Sequence, residues 1–291
     1  MKQALVLGGT SFFGRELVQL LLNQNYSVTL FSRGNKNPEF DGEIDWIHGN
    51  RSNPLDIKKL NHKNYDIVFD QIGFCSQDAQ LVVEELGSKI QKLVFTSSQS
   101  IYPMGSSLLE SSVDPKSYPL VLGPREQFDY GEGKRQAEAY YFQKSPFKVA
   151  IARPSIVIGP NDHSGRFKFH VDKISSGKEF HLPNPQAKFS VLRSSDAALG
   201  LLAIGEDKAE RSVMNFSSTT IVLQELMRTI ANAIEGRIKY SENSSGDHYS
   251  PYGLNEDWWM DRTKIEKIIK LTHSEFLEYV SNLAMAYENN N

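Results

Sequence analysis

The chain opens with an apolar run that breaks into a glycine-rich turn and resumes as a helical pattern: Leu5-Val6-Leu7-Gly8-Gly9-Thr10-Ser11-Phe12-Phe13-Gly14-Arg15-Glu16-Leu17-Val18. A strand, a tight turn and a helix N-terminus follow one another here. The unpaired N–H groups and positive dipole end of a helix start attract phosphate. Glycine lets the backbone turn sharply and approach a pyrophosphate. The spacing is Gly8-x-x-Ser11-x-x-Gly14, with serine where the usual pattern has its middle glycine. A second strand, Ser27 to Phe31, begins after a helix-length segment from Arg15 to Asn25. The strand–helix–strand unit spans about 30 residues, as expected of a dinucleotide-binding unit. The turn from Gly8 through Thr10 and Ser11 to Gly14 is therefore expected to hold a dinucleotide.

The rest of the chain repeats this alternation. Ala4–Leu7, Val28–Phe31, Asp45–His48, Ile67–Phe69, Leu93–Thr96 and Val149–Ala152 read as strands, with helical patterns such as Asp78–Ile90 and Glu126–Gln143 between them. Several strands are continuous apolar runs, which suits a parallel sheet covered on both faces. After Arg153-Pro154 the chain is less regular. The region to Pro185 reads as loops with one short helix. Val213–Phe216 reads as a strand, Leu223–Ile234 as a helix, Ser241–Gly253 as polar and irregular, and Ser274–Glu288 as a final amphipathic helix. The expected architecture is α/β: a Rossmann-type, doubly wound parallel sheet with a smaller C-terminal substrate lobe. Residues 1–153 form the dinucleotide-binding domain, with 189–217 returning to it. Residues 154–188 and 218–291 form the smaller lobe, which closes over the nucleotide at the C-terminal edge of the sheet.

Bulk properties exclude several classes. With 291 residues and 40% hydrophobic content, the chain can fill a sizeable core. A net charge of −3 implies no general attraction to nucleic acid or to an anionic membrane. No apolar run approaches bilayer length, and no leader pattern precedes the first strand, so a cytoplasmic protein is expected. A single cysteine, Cys75, rules out an intrachain disulfide framework and a cysteine zinc cage. The seven histidines are scattered, so no metal site is expected.

The end of the second strand distinguishes the two nicotinamide dinucleotides. A carboxylate there binds the ribose 2′-hydroxyl of NAD, whereas arginine accommodates the 2′-phosphate of NADP. The segment Phe31-Ser32-Arg33-Gly34-Asn35-Lys36 has no carboxylate. Arg33 can bind phosphate through two parallel donors, Ser32 adds a hydroxyl and Lys36 a second charge. NADP is the expected cofactor, in preference to NAD.

Two further elements carry chemistry. Leu93-Val94-Phe95-Thr96-Ser97-Ser98 ends a buried strand in hydroxyls, and Tyr130-Gly131-Glu132-Gly133-Lys134 begins a helix. Residues i and i+4 share a helical face. The Lys134 ammonium is expected to lower the Tyr130 phenol from its reference of about 10 toward neutrality. A tuned phenol can move a proton at a carbinol or carbonyl oxygen. Ser98 can hold that oxygen while a nicotinamide exchanges hydride at the same carbon. The other Tyr-x-x-x-Lys match, Tyr140 and Lys144, falls at the end of its helix and cannot open one.

Together these residues resemble the extended or atypical branch of the short-chain dehydrogenase/reductase superfamily, the NAD-dependent epimerase/dehydratase group. The resemblance rests on Gly8 to Gly14, Thr96-Ser97-Ser98 with Tyr102, Tyr130 with Lys134, Arg153 to Pro160, and Met260-Asp261-Arg262-Thr263-Lys264. It implies that Ser98, Tyr130 and Lys134 form the catalytic triad, with Lys134 also on the nicotinamide ribose. It makes Gly8, Ser11 and Gly14 the phosphate loop, with Phe12 and Phe13 near the pyrophosphate, and places Asn50 and Arg51 where an aspartate often reads the adenine amine, Gly73 along the cofactor, and Pro154 and Ser155 beside the nicotinamide. The phrases Gly9-Thr10-Ser11-Phe12, Leu30-Phe31-Ser32-Arg33-Gly34 and Tyr130-Gly131-Glu132-Gly133-Lys134-Arg135 are similar to the subgroup of plant chloroplast stem-loop RNA-binding proteins and bacterial relatives.

The leading expectation is an NADP-dependent enzyme that oxidises or reduces a carbinol, alone or within an epimerisation or dehydration. Its substrate would be a sugar nucleotide or another polar alcohol, held by Arg153, His163, Arg166, Phe167, His170 and Arg193. The alternative is a catalytically idle binding or regulatory protein, with RNA as partner, that keeps the fold and the nucleotide. A basic run including Lys134, Arg135, Lys144, Lys148, Arg166 and Lys168 would serve it, against the overall acidity. Monomer and homodimer are both compatible with the sequence.

Overall fold

The computed structural model describes residues 1–243 and 245–289. Its strands, in chain order, are β1 (Gln3–Leu7), β2 (Ser27–Ser32), β3 (Ile44–His48), β4 (Tyr65–Asp70), β5 (Ile90–Thr96), β6 (Gly105–Leu108), β7 (Lys148–Pro154), β8 (Ile156–Ile158), β9 (Lys188–Arg193), β10 (Arg211–Phe216), β11 (Thr219–Val222) and β12 (Trp258–Met260). The helices are α1 (Phe12–Asn23), α2 (Pro54–Lys58), α3 (Ser76–Leu86), α4 (Tyr130–Lys144), α5 (Arg166–Ser175), α6 (Ser194–Glu206), α7 (Leu223–Ala233) and α8 (His273–Glu288).

The chain divides into two compact units. The first comprises 1–102, 109–154 and 194–216, and the second 103–108, 155–193 and 217–291. The first holds a seven-stranded sheet in the order β10-β7-β5-β4-β1-β2-β3, and every pairing in it is parallel. Val6 lies between Leu30 and Phe69 in register. Residues 4–7 are fully buried, which is why β1 reads as an unbroken apolar run rather than an alternation. Helix α1 turns Gly14, Leu17, Val18 and Leu21 inward, an i, i+3, i+4, i+7 stripe. The order of strands reverses between β1 and β4, so the crevice at their C-terminal ends is the switch point at which open α/β sheets bind ligands.

The second unit carries a five-stranded mixed sheet, with β11-β9-β12-β6 in order and β8 also paired to β9. Its core contains Phe167, Val171, Ile174, Phe180, Phe189, Leu226, Phe276 and Val280.

Three boundaries differ from the sequence reading. Asp129 caps α4 by accepting from the Glu132 N–H at 2.7 Å, so the helix opens at Tyr130, as the Tyr130–Lys134 motif implies, and not at the Glu126 end of the wider helical pattern. Helix α3 ends at Leu86, and Ile90 already opens β5. The segment belonging to the first unit starts at Ser194 rather than 189, because β9 pairs with β8, β11 and β12 in the other sheet. Helix α6 escaped the sequence reading because its Ala/Leu/Gly run buries nearly all round and shows no polar face.

Candidate functional site

The glycine turn is shaped by close approach. Gly8 and Gly9 adopt φ of +96° and +83°, a region that side chains rarely occupy. A Cβ at Gly8 would lie 2.8 Å from Ile72, and one at Gly9 2.8 Å from Val6. At Gly14 a Cβ would collide with Gln71 Oε1 and stand 3.0 Å from the Gly9 Cα. Ser11 occupies the N-cap position of α1, but its side chain makes no capping bond, and the first turn carries no acidic residue. The helix start therefore has no side-chain cap and no carboxylate competing with an anion, and the residues present fit a dinucleotide phosphate. Phe12 sits at φ +50°, its ring edge-on to Phe13 at 5.6 Å.

At the end of β2, Ser32 is buried, and its hydroxyl accepts from Gly34 N–H and from the Trp46 indole. Arg33 and Lys36 are exposed. No carboxylate stands in the segment Phe31–Lys36.

Two of the three catalytic candidates, Tyr130 and Lys134, lie in the first turns of α4. A Cβ at Gly131 would strike the Ser100 carbonyl, and one at Gly133 the Phe74 carbonyl. These two glycines let the first turn of α4 lie against the backbone that follows β5 and β4. Tyr130 is 50% exposed, with its ring 6.3 Å from Phe74. Behind it Lys134 is buried, its Nζ donating to the carbonyls of Gly73 (2.7 Å) and Thr96 (2.8 Å). The ammonium stands 5.9 Å from the Tyr130 ring centroid. Burial pushes Lys134 down to about 8, with Asp70 and Asp78 opposing. Below that pH the ammonium is charged and favours the phenolate form of a neighbouring tyrosine. Ser98 is half-buried and caps a short turn by accepting from Ser100 N–H at 3.1 Å.

Arg51 is placed differently from the adenine contact expected of it. Its side chain is 7% exposed, with Nη1 on Asp70 at 2.7 Å and Nη2 on the Asp78 carbonyl at 2.9 Å. Asp70 also accepts from the Tyr141 hydroxyl at 2.6 Å and from Ile72 N–H, while Asp78 accepts from Phe74 N–H. This buried network fixes the loop 70–74, and hence the Gly73 carbonyl that receives Lys134. Asn50 is exposed, and its side chain accepts from Ser52 N–H.

Three residues expected to touch substrate are interior instead. Arg153 is fully buried, paired with Glu138 through Nε (3.0 Å) and Nη2 (2.6 Å), and its other donors go to the Tyr102 hydroxyl and to the Glu110 and Val113 carbonyls. Phe167 lies in the core of the second unit. His170 is fully buried and stacks on Tyr252 with centroids 4.8 Å apart. A carbonyl can only accept, so His170 Nδ1–H donates to Arg166 O, and Nε2 accepts from the Ser250 hydroxyl. That tautomer is neutral. In the same unit His163 and Arg166 are exposed, and Arg193 is half-buried, its guanidinium 5.6 Å from the Tyr279 ring. Pro154 ends β7, and Ser155 is buried.

His170 gives a pH prediction. Burial pushes it down to about 4, while the unfolded chain titrates at about 6.5. Between those values the unfolded state binds the extra proton. The stabilisation is complete above pH 6.5 and is lost as pH falls through 4, at up to about 1.4 kcal/mol per pH unit. Urea denaturation of the wild type and of His170→Asn should show a shallower acid decline in the variant. Parallel declines would refute this account.

Sequence reasoning passed over Gln71, Phe74 and Asp78. Their signal is positional: Gln71 and Phe74 lie just after the apolar strand Ile67–Phe69, and Asp78 in the first turn of the helix that follows, where a parallel strand meets its ligand crevice. Among the described residues, no helix is long and apolar enough to cross a membrane, and no group of His, Cys, Asp or Glu could hold a metal ion.

The seven-stranded parallel sheet with its glycine turn at the end of β1 defines a Rossmann-type α/β protein. Residues 4–215 match the NAD dependent epimerase/dehydratase family, and the chain belongs to it. A curated relative is the chloroplast stem-loop binding protein of 41 kDa b from Arabidopsis thaliana, 27% identical over 76% of this chain and 60% of its own length. An uncharacterised protein of Sinorhizobium fredii is 25% identical over 87% of this chain and 64% of its own. The chain thus spans less than two thirds of the length of these curated relatives. Among solved structures, the dTDP-glucose 4,6-dehydratase of Bacillus anthracis in complex with NAD superposes with a TM-score of 0.75 at 17% identity, covering 100% of this chain and 97% of that one. The UDP-glucose 4-epimerase of Thermotoga maritima superposes with a TM-score of 0.75 at 15% identity, covering 98% and 99%. At these identities the likeness is one of fold.

Proposed function

We propose that this chain is an oxidoreductase, epimerase or dehydratase that uses a nicotinamide dinucleotide, NADP in preference to NAD, on a carbinol or carbonyl of a sugar nucleotide or similar polar substrate. One observation carries this reading: a half-exposed Tyr130 opening α4, with the buried Lys134 one turn behind it. A chain that only binds has no need of this pair. Tyr130 moves the proton at the substrate oxygen, Lys134 supports its phenolate form, and Ser98 holds the same oxygen. The dinucleotide, when bound, supplies hydride exchange at the adjacent carbon. Gly8, Thr10, Ser11 and Gly14 receive its phosphates, and Arg33 with Lys36 favours a 2′-phosphate. In the second unit, His163, Arg166 and Arg193 are the remaining candidates for a substrate anion. The sugar-nucleotide enzymes among the structural neighbours favour that substrate class.

Fluorescence titration with NADPH and NADH tests the cofactor. NADPH should bind more tightly, and Arg33→Ala should reduce that preference about tenfold, as for loss of one charged hydrogen-bonding contact. Equal affinities for both dinucleotides would remove the NADP preference, and binding of neither would remove the cofactor. A second reading, an RNA-binding module, is favoured by the likeness to the stem-loop binding protein. The net charge of −3 and the intact Tyr130–Lys134 pair weigh against it.

A further inference from the structure

We infer that Gln71 is a ligand of the dinucleotide itself, donating from its side-chain amide to a pyrophosphate oxygen. The inference rests on the dinucleotide reading above. Gln71 follows β4, and its backbone N–H donates to the Leu7 carbonyl at 3.1 Å, which prolongs the β4–β1 pairing by one residue. It therefore stands in the crevice where the strand order reverses, directly opposite the turn that follows β1. Its Cβ would be 3.6 Å from a Cβ placed at Gly8, and its Oε1 abuts the Cα face of Gly14. The side chain thus spans the glycine turn from its first glycine to its last.

The Gln71 amide nitrogen is buried and has no hydrogen-bond partner among the described residues. A buried donor without an acceptor is costly, and native structures leave few of them. Gln71 Nε2 is orphaned beside the uncapped start of α1, a place already suited to phosphate oxygens. Such an oxygen supplies the missing acceptor. The bond is charge-assisted on the acceptor side, and it adds no charge to the turn when the ligand leaves. A glutamine at this point thus complements the serine that replaces the middle glycine: both are neutral donors on side chains, in a turn that otherwise binds through backbone N–H groups.

The test uses the full chain, with NADH and ADP-ribose as probes, because both contain the pyrophosphate and only NADH contains nicotinamide. Gln71→Met keeps the length and removes the donor. Gln71→Glu keeps the shape and puts negative charge against the phosphates. Dissociation constants for both probes should rise about tenfold in Gln71→Met and further in Gln71→Glu. The unliganded melting temperature of Gln71→Met should not fall, since the methionine removes an orphaned donor. Wild-type or tighter affinity in both variants would overturn the inference and leave the dinucleotide reading standing. So would a loss confined to NADH. Failure of the wild-type protein to bind either probe or NADPH would overturn both.

Discussion

Tyr130→Phe is expected to lower turnover by about 10²- to 10⁴-fold, the usual contribution of a positioned general acid–base group. Dinucleotide affinity should stay within a factor of about two, because the exchange removes one hydroxyl from the half-exposed face of α4 and leaves the glycine turn untouched. The fold should be unaffected for the same reason. Lys134→Met differs in kind. It removes a donor from two buried carbonyls, Gly73 and Thr96, so a loss of activity there would mix chemistry with structure. Tyr130→Phe is the cleaner experiment. Turnover of sugar-nucleotide substrates with added dinucleotide, measured beside a binding titration, separates the two effects. Undiminished turnover in Tyr130→Phe would end the proposed mechanism.

The second large effect is expected at Arg153, and it is one of stability. Arg153→Met should cost about 3–5 kcal/mol, because it leaves the Glu138 carboxylate buried without its partner. Both side chains are almost completely enclosed, at 0% and 1% exposure. The same substitution frees the Glu110 and Val113 carbonyls and the Tyr102 hydroxyl, whose own proton burial has pushed up to about 12. Pairing Arg153→Met with Glu138→Leu should recover much of the loss, since an apolar pair of similar volume often replaces a buried ion pair without penalty. Chemical denaturation of the two single variants and the double variant measures this directly. A single-variant cost below about 1 kcal/mol would place Arg153 among ordinary surface pairs and return it to consideration as a substrate contact.

Both predictions turn on which residues the fold spends on itself. At Arg51 the sequence offers a cation next to an asparagine near the end of a strand, a plausible reader of a base. The structure directs that cation to Asp70 and Asp78, 19 and 27 residues away, and so stiffens the loop bearing Gly73. His170 and Phe167 show the same displacement. Each sits on α5, and a short amphipathic helix does not announce which of its faces will be covered. His170 is enclosed by Tyr252 and by Ser250, 80 residues on.

What the sequence determined by itself is what depends on near neighbours. The glycine turn follows from backbone conformations that only glycine adopts freely. The parallel sheet follows from unbroken apolar strands separated by helical patterns. The Tyr130–Lys134 pairing follows from the i, i+4 geometry of a helix whose start is set by the Asp129 cap. Tertiary structure decided the fate of the buried charges and of the orphaned amide at Gln71. Arg51, Arg153 and His170 could each have faced a ligand. Desolvation makes an unpaired buried charge too costly to keep, so partners 15 to 80 residues away, brought close only when the chain has folded, determine which polar groups are spent on the fold and which remain for chemistry.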